Sequence, residues 1–205
     1  MDLLARTSIA AVLALGLLGL AATSADASHT GGKCRGGKTI AKNSVARLYT
    51  NSSGTSMIGC MWSRNERVDL DTAFDDDYVL SEGFLSPRLG GRFVAWTHFT
   101  EDISCKADCP PGYGIPTYRL ERADLATGHT DSVPALPAGS TLRINKRGAI
   151  AWLERVGAGL REVHAWDAAG HRVLDTGLIP VASWTLKAST LSWTNDGTPH
   201  SVTLR

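Results

Sequence analysis

From residue 44 onward the hydrophobic positions come in short runs, rich in β-branched and aromatic side chains and separated by Gly, Asn, Asp and Pro. Such punctuation predicts strands and turns. Only residues 149–166 compete for a helix, because Ala149, Trp152, Leu153, Val156, Leu160 and Val163 fall near helical spacing. Gly157 and Gly159 would each cost a helix interior about 1 kcal/mol, whereas Gly157-Ala158-Gly159 suits a turn. The pattern therefore predicts a hairpin with strands at 149–156 and 160–166. Asn195-Asp196-Gly197 marks a second tight turn, between strands at 190–194 and 201–204. An earlier strand is expected over residues 44–50.

These runs repeat. Gly91-Arg92-Phe93-Val94-Ala95-Trp96 returns as Gly148-Ala149-Ile150-Ala151-Trp152 and, worn, as Ser189-Thr190-Leu191-Ser192-Trp193, with a fainter unit ending at Trp62. Asp124 and Asp167 follow the first two copies. The tryptophans are 56 and 41 residues apart, and the 13-residue stretch from Ser104 to Pro116 accounts for all but two residues of the difference. A period near 42 built of strands is the length of a four-stranded propeller blade. Such a sheet is stable only when neighbours cover it, which suits the unbroken apolar runs at 93–96 and 149–153. The stretch Ser86-Pro87-Arg88-Leu89-Gly90-Gly91-Arg92-Phe93-Val94-Ala95-Trp96 resembles the Ser-Pro-Asp-Gly-x-x-Ile-Ala-Phe signature of TolB-like, WD-type propeller repeats. That resemblance implies an all-β, propeller-like stack of about four short antiparallel blades over residues 44–205, closed or incomplete. A β-sandwich is the alternative that the same turn spacing allows.

The N-terminus changes where this fold is placed. Arg6 precedes fourteen residues, 9–22, with no polar side chain, and Ala25-Asp26-Ala27 is a small-x-small cleavage pattern. Fourteen falls short of the roughly 20 needed to span a bilayer. Residues 1–27 therefore read as a signal peptide and 28–43 as a Gly-rich lead-in, giving a secreted, extracytoplasmic protein with no membrane span, expected as a monomer. Setting Arg6, Asp2 and Asp26 aside from the 21 basic and 20 acidic residues leaves a net charge of about +2. No concentrated basic face for nucleic acid follows from that. In an oxidising compartment Cys34, Cys60, Cys105 and Cys109 read as two disulfides. The favoured pairing is Cys34 with Cys60 and Cys105 with Cys109, because the first pair flanks one strand and the second shares one short loop.

Candidate chemistry is sparse. Gly32-Lys33-Cys34-Arg35-Gly36-Gly37-Lys38-Thr39 satisfies the phosphate-loop pattern, but a polar signal-peptide tail leads in and a strand, not a helix, is expected to lead out. Asp69, Asp71, Asp75, Asp76 and Asp77 lack the ordered spacing of a calcium loop and read as a solvated connection. The six histidines show no zinc-binding spacing, and Gly54-Thr55-Ser56-Met57-Ile58-Gly59 is one residue too long for a nucleophile elbow. Trp96, Trp152 and Trp193 are assigned to the core. No cofactor, metal or catalytic residue is expected. The insertion around Lys106, Asp108, Pro110, Pro111 and Tyr113 is the candidate binding loop, being stiffened by a small disulfide ring and a Pro pair. The expected function is a non-catalytic binding or scaffold module for a protein or cell-envelope ligand. The alternative is an extracellular hydrolase with loop-borne catalytic residues.

Overall fold

A computed structural model describes residues 29–31, 34–76, 80–102, 114–134 and 141–205, with 29–31, 75 and 76 described by backbone alone. The signal peptide, Cys105, Cys109 and the candidate loop residues Lys106, Asp108, Pro110, Pro111 and Tyr113 lie outside them.

The described chain is all-β, forming four antiparallel sheets where a sandwich would have two. The first holds β1 (His29–Gly31), β2 (Lys38–Lys42), β3 (Ala46–Thr50), β4 (Ser56–Met61) and β5 (Glu66–Thr72), with β1 on the outer edge of β5. The second is the meander β6 (Phe74–Asp76), β7 (Leu80–Gly90), β8 (Phe93–Asp102), β9 (Thr117–Asp124) and β10 (His129–Pro134). Strands β11 (Arg143–Ile144), β12 (Ile150–Arg155), β13 (Arg161–Asp167) and β14 (Gly170–Gly177) make the third. The fourth has only β15 (Thr185–Lys187), β16 (Thr190–Asn195) and β17 (Thr198–Thr203). A 3-10 turn, Val181–Ser183, precedes it, and no helix among the described residues is long and apolar enough to cross a membrane.

Both expected hairpins form. Glu154 faces Glu162 and Arg155 faces Arg161 across β12 and β13, and Val156 N–H closes the loop onto the Leu160 carbonyl. Asp196 and Gly197 both have positive φ, 49° and 80°, the tight-turn geometry whose twist matches the strands it joins.

Side chains alternate between the two faces of each strand, and three buried clusters use this to join the sheets in order. Ala46, Leu48, Met57 and Val68 of the first sheet meet Val94, Trp96, Ala123 and Leu125 of the second. Ala95 and Leu120, from the opposite face of the second, meet Ile150, Trp152 and Trp166 of the third. Ala151, Leu153, Val163 and Ala165 meet Leu191 and Trp193 of the fourth, with Ile179, Trp184 and Leu204 completing that cluster. Close approach depends on missing side chains: a Cβ at Gly59 would lie 2.2 Å from Leu125, and one at Gly90 would lie 2.4 Å from the Asn145 carbonyl.

The repeat tryptophans sit on β8, β12 and β16, and each faces the preceding sheet. In the first sheet the corresponding strand is β3, and its buried aromatic is Tyr49. The fainter repeat ending at Trp62 is therefore out of phase: Trp62 is 42% exposed at a turn and donates to the Asn43 carbonyl at 2.9 Å. Tyr49 packs with Ile58, Cys34 and Cys60, which form the expected disulfide with Cα atoms 5.6 Å apart. Among the described residues no core cluster joins the first sheet to the fourth.

Two further expectations need correction. The Gly-rich lead-in, residues 28–43, supplies β1 and β2, because the alternating Lys38–Lys42 segment finds an edge on β3. Its strand also replaces the helix that a phosphate loop would require. Of the acidic run, Asp69 and Asp71 belong to β5 and Asp75 and Asp76 to β6, so these four are strand residues and not a connection, while Asp77 lies outside the described residues. Asp71 faces inward, its side chain 9% exposed, because it has an indole to accept from.

Candidate functional site

The tryptophans carry more than packing. Trp96 Nε1 donates to Asp71 Oδ2 at 2.6 Å, and Trp193 Nε1 donates to Asp175 Oδ2 at 2.6 Å. In both cases the aspartate lies on the last strand of the preceding sheet, so one charge-assisted bond ties neighbouring sheets together. The residue two positions after each tryptophan reaches the same carboxylate: His98 Nδ1 lies 3.1 Å from Asp71, and Asn195 Nδ2 donates to Asp175 at 2.9 Å. Hydrogen bonding to Asp71 raises the His98 pKa against an opposing effect of burial. Burial also raises the pKa of Glu121, which faces Trp96 across the ladder, while Arg119 moderates it. A sequence signal for the aspartates existed, since Leu70-Asp71-Thr72 returns as Leu174-Asp175-Thr176.

Trp152 breaks the pattern. Its indole turns to Glu154, two residues along its own strand, at 3.4 Å. His164 stacks on it with ring centroids 4.8 Å apart, and His171 stacks at 5.1 Å. Burial, with the neighbouring His164, lowers the His171 pKa. Glu162 Oε2 approaches His164 Nε2 at 3.1 Å, so two glutamates and a buried histidine share one small volume.

The repeat aspartates end strands. Asp124 accepts from Ala126 N–H at 2.9 Å and from Arg92, and Asp167 accepts from Ala169 N–H at 2.9 Å. The fully buried Asp167 carboxylate also takes both Arg172 guanidinium nitrogens and the Arg205 N–H. The Arg172 hydrogen bonds hold its pKa far below the usual carboxylate range, and the C-terminal residues are thereby fixed against the third sheet.

An open cleft of about 620 Å³ lies where turns of all four sheets meet. Asn43 lines it from the β2–β3 turn, Gly90 from β7–β8, Asn145 and Lys146 from β11–β12, and Ala188 and Ser189 from β15–β16. Asn43 and Asn145 occupy equivalent turns. Asn43 Oδ1 accepts from Val45 and Ala46 N–H, which frees Nδ2 to cross to the Gly91 carbonyl of the next sheet at 2.9 Å. Asn145 Oδ1 likewise accepts from Arg147 and Ala149 N–H at 2.8 and 3.1 Å, fixing which end of the amide is oxygen. Yet Asn145 Nδ2 is buried and meets no acceptor among the described residues.

No family model, no curated protein and no solved structure matches the chain. The likeness to propeller repeats thus rests on the repeats themselves.

Proposed function

We propose that the chain is a secreted, non-catalytic binding module, built as an incomplete propeller-like stack, that takes an anionic group of an extracytoplasmic ligand in the cleft between the four turns. The observation that carries this reading is Asn145 Nδ2, a buried donor left unpaired among the described residues beside a cleft whose described charged lining is Lys146 and Arg147, with no carboxylate. An unpaired buried donor costs about 1–3 kcal/mol, which a carboxylate or phosphate oxygen would recover. The buried Cys34–Cys60 disulfide supports an oxidising compartment. The hydrolase reading asks for two carboxylates converging in an open cleft, and none of the described residues lining this cleft is a carboxylate.

Co-sedimentation with the native envelope fraction tests it. The double variant Lys146→Ala/Arg147→Ala should lose at least about tenfold in retention, more at low salt than at high salt. If that variant is retained like the wild type while deletion of residues 102–114 abolishes retention, the insertion carries binding and the cleft reading fails.

A further inference from the structure

We infer that Glu154, Glu162 and His164 form a site for a divalent transition-metal ion, zinc being the best fit, with His171 as the outer partner of His164. This site is separate from the cleft, and none of the three lines it.

The strands put these residues together. Glu154 and Glu162 are direct cross-strand partners on β12 and β13, and His164 follows Glu162 by two residues, so all three share one face of the third sheet. Like charges directly opposite destabilise a ladder. Arg155, which follows Glu154, and Arg161, which precedes Glu162, belong to the opposite face. Among the described residues neither glutamate has a Lys or Arg partner, and the only cationic group that reaches them is His164, when protonated.

His164 faces both carboxylates through Nε2, at 3.1 Å from Glu162 Oε2 and 3.7 Å from Glu154 Oε2. Its other nitrogen, Nδ1, lies 3.1 Å from His171 Nε2. At that separation one of the two nitrogens donates a proton to the other, the tautomer deciding which. When His164 Nδ1 donates it, the Nε2 lone pair is left aimed at two anions, and a positive charge must occupy the gap. A histidine donating its far nitrogen to a neighbour while the near one binds metal is the usual outer arrangement of such sites.

The spacing and the donor set favour zinc. Ligands about 2.0–2.1 Å from a tetrahedral zinc stand about 3.3 Å from one another, and the two His164–carboxylate separations, 3.1 and 3.7 Å, bracket that figure. All three donor atoms lie within 4.8 Å of one another, so the glutamates need only a small side-chain adjustment. One imidazole nitrogen and two carboxylates suit a borderline ion with a fourth position left for water. Calcium prefers six to eight oxygens and magnesium an octahedron of them. The site is held firmly, because His164 and His171 lie side by side against the Trp152 ring, and Trp152 Nε1 points at the Glu154 carboxylate. Glu162, with 27% of its side chain exposed, opens it to solvent.

The test is calorimetric titration of zinc into the full chain, purified without an affinity tag and stripped with chelator, beside calcium and magnesium. The expected result is one zinc per chain with a micromolar or lower Kd, no heat from the other two ions, and a rise in melting temperature with zinc. Glu162→Gln should weaken zinc at least about tenfold while leaving the zinc-free melting temperature within a few degrees, since this side chain is the most exposed of the set. His171→Gln should weaken it about tenfold or more through His164. A folded wild-type chain with no zinc binding below 100 µM overturns the assignment, as does zinc binding of undiminished affinity in Glu162→Gln. Calcium binding as tightly as zinc would also overturn it.

Discussion

Trp96 and Trp193 are as buried as the aliphatic core around them, yet each indole ends on a carboxylate of the preceding sheet. An apolar body with one polar end is the property that tryptophan brings to such a position. Phenylalanine would keep most of the burial and remove the donor, so Trp96→Phe is expected to cost about 1.5–3 kcal/mol in urea unfolding, the range for a bond to a charged group. Combined with Asp71→Asn, the loss should be clearly less than additive. His98 gives the same contact a pH dependence. Its folded pKa lies above the ordinary 6.5, so its pairing with Asp71 stabilises the fold fully below about pH 6.5 and fades as pH rises through the folded value. Urea unfolding across pH 5–9 should show this slope in the wild type and a flatter one in His98→Asn. Equal slopes would remove His98 as its source. At this scale the sequence was only half legible: burial of the tryptophans follows from their apolar runs, but Asp71 looked like one more charge in an acidic stretch. Which charge turns inward depends on an acceptor being needed 25 residues later.

The element that best repays attention is β3. Its aromatic, Tyr49, faces the side on which every later sheet meets a predecessor, and there it meets the Cys34–Cys60 disulfide. Arg47 lies over the Tyr49 ring and donates to the Cys34 and Gly37 carbonyls, so the segment before β2 is held by both a covalent and a polar tie. Chain-entropy reasoning puts the closure of this ring at about 3.5 kcal/mol. A Cys34→Ser/Cys60→Ser variant should accordingly unfold at markedly lower urea, with Tyr49 fluorescence or its near-ultraviolet signal changing first. An unchanged midpoint would mean that the segment covers nothing of consequence. The hairpins were readable in advance because Gly157-Ala158-Gly159 and Asn195-Asp196-Gly197 act through local backbone preference. The unit at Trp62 falls out of phase because a tryptophan does not mark the equivalent place in the first sheet, whereas the turn asparagines Asn43 and Asn145 do.

For the molecule as a whole, the four sheets stack in chain order through three shared cores, and the fourth sheet has the fewest strands. It still matters, since Leu191, Trp193 and Leu204 cover Ala151, Leu153, Val163 and Ala165. A chain ending at Gly177 should bind a hydrophobic dye and lose cooperative thermal unfolding. A sharp transition at the wild-type temperature would show that the third sheet does not need this cover. The sequence by itself determined the all-β class, the hairpins and the first disulfide pairing, because alternation, turn chemistry and spacing are local properties of the chain. Tertiary structure alone decided what each repeated face meets. It brought Asp71 and Asp175 to indoles of the next sheet, left Asn145 without the acceptor that Asn43 has, and gathered Glu154, Glu162 and His164 on one face. Those outcomes depend on which strands become neighbours and how closely the sheets approach, and no pattern within a single strand encodes that.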